Sequence, residues 1–78
     1  MKTIDATGLS CPLPVLRLQK AMREMKSGER VTLTASDPMA AVDVPHFLNE
    51  HGHHLIEQSQ EAGPGGMQVL QFEIEKSA

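Results

Sequence analysis

Cys11 is the only cysteine in this chain of 78 residues, and it stands directly before a pair of prolines in Cys11-Pro12-Leu13-Pro14. A thiolate attacks disulfides and sulfane sulfur, and how readily one forms depends on how far the surroundings move a free pKa of about 8.5. The residues after Cys11 read as a helix. The thiol is therefore expected beside first-turn N–H groups without intrahelical partners, at the positive end of the helix dipole, and a lowered pKa follows. Pro12 and Pro14 are expected in the first helical turn, where a fixed φ and a missing N–H are tolerated. Pro12 also biases Cys11 towards an extended backbone that turns its side chain outward. A lone cysteine in a small domain is often just a small buried hydrophobe. The polar approach Ala6-Thr7-Gly8-Leu9-Ser10, with Gly8 permitting a turn, argues instead for an exposed thiol. With no second cysteine, Cys11 has no resolving partner in its own chain. Any sulfur it took up would have to wait for another protein, and a stand-alone disulfide oxidoreductase is disfavoured.

Other side chains offer weaker chemistry. Arg17 and Lys20 could form a basic rim for partner docking, against the plainer reading of a solvated helix face. Asp37 and Asp43 read as helix caps. His46, His51, His53 and His54 suggest a metal at first sight. However, three of them surround a helix end, where imidazole complements the dipole, and no zinc-ligand spacing is present. No metal and no cofactor are expected. Met22 and Met25 belong to an apolar stripe and read as core.

The elements that position Cys11 follow from periodicity. Lys2 to Asp5 is a short candidate strand. From Pro12, the residues Val15, Leu18, Met22 and Met25 recur at helical spacing, with Leu16 and Ala21 widening the stripe, and Gly28 closes the helix beyond Ser27. Val31, Leu33 and Ala35 alternate with Thr32 and Thr34 as a half-buried strand. Asp37-Pro38 opens a second helix, which Pro45 should break, with Asp43 as a second cap. Leu55 to Gln60 and Met67 to Lys76 form a closing hairpin across Ala62-Gly63-Pro64-Gly65-Gly66. The order βαβαββ predicts a two-layer α/β sandwich of one domain, a mixed four-stranded sheet with two helices on one face.

Composition narrows the function. A formal net charge of −3 and only two aromatic residues, Phe47 and Phe72, argue against direct nucleic-acid binding, which needs a basic field and stacking platforms. No apolar run approaches the ~18 residues of a membrane span, and the N-terminus lacks a secretory signal, so a cytoplasmic protein is expected, acting as a monomer.

The run Asp5 to Pro14, with its Cys-Pro-x-Pro element, resembles the signature of the TusA (SirA-like) sulfur-carrier family. Lys20, Gly28, Asp37-Pro38, Asp43-Val44-Pro45-x-Phe47, Gly52-His53-x-Leu55 and Phe72-x-Ile74 extend the likeness along nearly the whole chain. The resemblance implies a carrier that takes sulfane sulfur on Cys11 as a persulfide, without a small-substrate pocket of its own. It implies cysteine desulfurases or rhodanese-like proteins as donors. The implied acceptors are proteins of tRNA 2-thiolation relays, or of sulfur-oxidation relays containing DsrE-type proteins; other branches serve molybdenum cofactor, selenium or thiosulfate uptake. The rival from another class is a non-catalytic interaction or redox-regulatory module that uses the same helix-start surface.

Overall fold

The computed structural model describes residues 2–77. Its elements are β1 (Lys2–Ala6), α1 (Leu13–Glu24), β2 (Arg30–Ala35), α2 (Ala40–His51), β3 (His54–Ala62), a single 3₁₀ turn at Pro64–Gly66, and β4 (Gln68–Glu75). The strands form one sheet in the order β1-β2-β4-β3, with β1 and β2 parallel and the other pairs antiparallel. The two crossing connections carry the helices, and β3 and β4 make the expected hairpin.

The alternation in β2 and β4 explains the layers. Val31, Leu33 and Ala35 lie opposite Ile74, Phe72 and Leu70, so six apolar side chains share one face. All six are buried, and Leu18, Met22, Met25, Ala40, Val44, Phe47 and Leu48 from the helical layer complete the core above them. Each fully buried large side chain contributes roughly 1.5–3 kcal/mol through removal from water. The other face presents Thr32, Glu57, Ser59, Gln71 and Glu73 and carries no helix.

Several boundaries differ from those the sequence predicts. Helix α1 begins at Leu13, one residue after Pro12, and ends at Glu24, short of Ser27, because Met25 turns to an extended conformation and inserts into the core. Leu16 does not join the apolar stripe and is 49% exposed. Helix α2 starts at Ala40, after an Asp37-Pro38-Met39 turn. It is not broken at Pro45. The missing Pro45 N–H is outweighed because Ala40 and Val44 on one side, and Phe47 and Leu48 on the other, are all anchored in the core. Asp43 is consequently an interior helical residue and not a second cap. Strand β3 is longer than expected, and a bulge between Leu55 and Glu57 leaves Ile56 on the exposed surface.

Candidate functional site

The approach to α1 is built from local hydrogen bonds. Asp5 Oδ1 accepts from the Thr7 N–H at 3.0 Å and from the Thr7 hydroxyl at 2.6 Å, which bends the chain as it leaves β1. Gly8 takes a φ of 80°, as its turn requires, and its N–H donates to Ser36 Oγ at 2.8 Å. That bond ties the first βα loop to the loop after β2. Pro12 occupies the N-cap position and Pro14 the first turn of α1. Pro14 is fully buried, so it pins the start of the helix to the core.

Cys11 is exposed, as its sequence context predicts, and two carboxylates engage it. The Cys11 N–H donates to Asp37 Oδ2 at 2.7 Å. The Cys11 thiol donates through Sγ to Asp43 Oδ2 on α2. Asp37 spans two segments, since its Oδ1 also accepts the Met39 N–H at 2.9 Å, and these two N–H groups hold its carboxyl below the ordinary value. Asp37 is therefore not the N-cap of α2 that the sequence predicts: that position falls to Met39, which makes no side-chain cap bond, and Asp37 instead closes the turn before the helix and holds the Cys11 backbone.

The expected lowering of the Cys11 pKa is reversed. The hydrogen bond to Asp43 raises it most, followed by desolvation and the negative charges of Asp43 and Asp37. The helix start offers little to oppose this. Pro12 and Pro14 have no N–H, and the Leu13 N–H is donated to the Ser10 carbonyl at 2.9 Å, so the prolines that stiffen the site also remove the amides on which dipole stabilisation depends. These contacts favour the protonated thiol over the thiolate.

Cys11 opens onto a shallow groove between α1 and α2, lined by Pro12, Val15, Asp43, His46, Phe47 and Glu50. His46 Nε2 lies 3.1 Å from Glu50 Oε1, one helical turn on. On the same two helices and the turn before α2, Leu13, Leu16, Met39 and Val42 expose between 46% and 61% of their surface. Arg17 and Lys20 are not brought to this groove. They line a separate cleft with Lys2, Ile4, Ala21 and Glu24, between α1 and β1.

The histidines divide as well. His51 and His53 stack at 6.4 Å beside Phe47, and burial, then the neighbouring His51, Lys76 and His54, hold the His53 pKa below its ordinary value. Among the described residues no group of His, Cys, Asp and Glu is arranged to hold a metal, and no helix is long and apolar enough to cross a membrane. Asp43 is the site residue that sequence reasoning missed. It lies 32 positions from Cys11, and its one visible signal, Asp-x-Pro, is also the signature of a cap.

Comparison with known proteins places the chain in a family. The family model described as sulfurtransferase TusA matches residues 2–76. The sulfur carrier protein TusA of Pseudomonas entomophila is 46% identical over 61 residues, 78% of this chain and 76% of that protein. YrkI of Bacillus subtilis is 39% identical over 75 residues, 96% of this chain and 93% of that one. The crystal structure of a SirA-like protein from Desulfitobacterium hafniense superposes with a TM-score of 0.68 at 26% identity, covering 94% of this chain and 96% of the other. Fold and sequence agree along nearly the whole chain, which belongs to the TusA family of sulfur carrier proteins.

Proposed function

We propose that the protein carries sulfane sulfur as a persulfide on Cys11. The observation that carries this reading is an exposed, lone thiol at the mouth of the α1–α2 groove, in a chain whose relatives are sulfur carriers. In loading, Cys11 Sγ attacks the outer sulfur of a donor persulfide. The donor's S–S bond breaks as the Sγ–S bond forms, the Cys11 proton passes to the departing donor thiolate, and no net oxidation or reduction occurs. Delivery to an acceptor thiol runs the same exchange in the other direction.

The exposed Leu13, Leu16, Met39 and Val42 of the helical layer suit transient docking of a donor and then an acceptor. A cysteine desulfurase or rhodanese-like donor, and a protein acceptor in a tRNA-thiolation or sulfur-oxidation relay such as a DsrE-type protein, would supply those partners in the cytoplasm. Gly8, Pro12 and Pro14 set the position of the thiol and take no part in the exchange.

The reading is tested by following isotopically labelled sulfur. With a cysteine desulfurase and labelled cysteine, label should appear on the peptide containing Cys11 and leave it when an acceptor thiol is added. Label that never reaches this peptide, or stays on it after acceptor thiol is supplied, contradicts the carrier role.

A further inference from the structure

The groove beside Cys11 is acidic. Asp43 and Glu50 face it from α2 together with His46, and Asp37 reaches the Cys11 backbone from the loop after β2. From α1 and its N-cap only Val15 and Pro12 line it, and no acidic residue lies in that helix's first turn. His46 is paired with Glu50, so its charge, when present, is answered locally. Among the described residues Asp43 is the hydrogen-bond partner of the sulfur, and a carboxylate has only acceptor atoms to offer. The contact therefore exists only while Sγ carries a proton; a thiolate would face the same oxygen as a second anion.

We propose that Asp43 is a positioning residue that holds the sulfur of the free carrier as a protonated thiol, and that a partner presenting a cationic side chain to Asp43 frees Cys11 for attack. This rests on the reading of Cys11 as the sulfur-carrying thiol. The raised Cys11 pKa, with the Asp43 hydrogen bond as its largest cause, agrees with it. The arrangement makes the carrier inert between encounters: adventitious disulfides and oxidants meet a thiol, whereas a docked donor with a basic group meets a nucleophile. Loading also ends the contact, because the outer sulfur replaces the proton that Asp43 accepted. An anionic outer sulfur is then repelled from Asp43 towards the mouth of the groove.

Substituting Asp43→Asn makes the neutralised state permanent. Alkylation of unloaded protein by iodoacetamide, followed across a pH series, should give the wild type a midpoint above that of free cysteine, about 8.5. Asp43→Asn should move the midpoint down and speed alkylation at neutral pH, roughly tenfold for each pH unit by which the midpoint falls. Asp43→Glu, which restores the carboxylate, should return the rate towards wild type, and Glu50→Gln, which does not touch the sulfur, should change it less. Far-UV circular dichroism checks that each variant folds; if Asp43→Asn does not, Asp43→Ser removes the same charge. A neutral variant alkylated no faster than the wild type overturns the proposal. The assay contains no sulfur donor, so a negative result leaves the carrier reading standing. Conversely, failure of Cys11 to accept labelled sulfur would overturn the carrier reading without altering the alkylation midpoint.

Discussion

At Cys11 two carboxylates act on one residue through different atoms. Asp37 fixes the backbone, while Asp43 meets the sulfur. They should separate in experiment. Asp37 has a lowered folded pKa because two N–H groups donate to its carboxylate. Its contribution to stability is therefore present above the unfolded carboxylate value of about 3.9 and is lost as pH falls through the lower folded value. Asp37→Ala should lower the thermal midpoint at neutral pH, and the gap from wild type should close in strong acid. A gap that stays constant down to that range would deny the Asp37 contacts their pH-dependent role. The site is only half legible in the sequence. Cys11, Gly8 and the prolines declare themselves by local spacing, because backbone restriction and chain reversal are local effects. Asp43 does not, because which face of α2 meets the start of α1 depends on how both helices lie on the sheet.

The elements differ in how far local pattern determines them. Strands β2 and β4 follow their alternation closely, since a one-residue slip would turn six core side chains towards water. Helix α2 departs from local expectation. Pro45 is a strong breaker, yet burial of Val44, Phe47 and Leu48 holds the helix through it, an outcome that no window around Pro45 could reveal. Helix α1 depends on the same burial. Leu18 is completely buried near its centre, and Leu18→Ala should cost about 2–5 kcal/mol in urea unfolding, whereas Leu16→Ala, at an exposed position, should stay within about 0.5 kcal/mol. If Leu16→Ala proved as costly as Leu18→Ala, the orientation assigned to α1 would be wrong. The exposure of Leu16 is the reverse of what the stripe predicts.

Over the whole molecule, the helical layer and the open sheet face divide the work. The layer that covers the core also carries Cys11, Asp43 and the exposed apolar side chains, so under the proposed function docking and chemistry share one side. The molecule extends 37 × 22 × 17 Å, and β3 forms an edge of the sheet with most of its residues exposed. Amide hydrogen exchange should accordingly be slowest in β2 and β4, which are paired on both sides, and fastest along Ser59–Ala62 at the far end of the β3 hairpin. Slow exchange at the far end of β3 would contradict this grading. The two-layer class and the element order are readable from periodicity alone, because one buried face leaves a small domain few other arrangements. The strand order, which sets β4 between β2 and β3, requires the three-dimensional structure.

Whether Cys11 accepts sulfur is tested most directly by the intact mass of the protein. After incubation with a cysteine desulfurase and cysteine, or with thiosulfate or polysulfide, the protein should gain one sulfur atom that reductant removes, and Cys11→Ser should gain none. An unchanged mass with every donor, or an equal gain by Cys11→Ser, would contradict the role of Cys11 as the carrier.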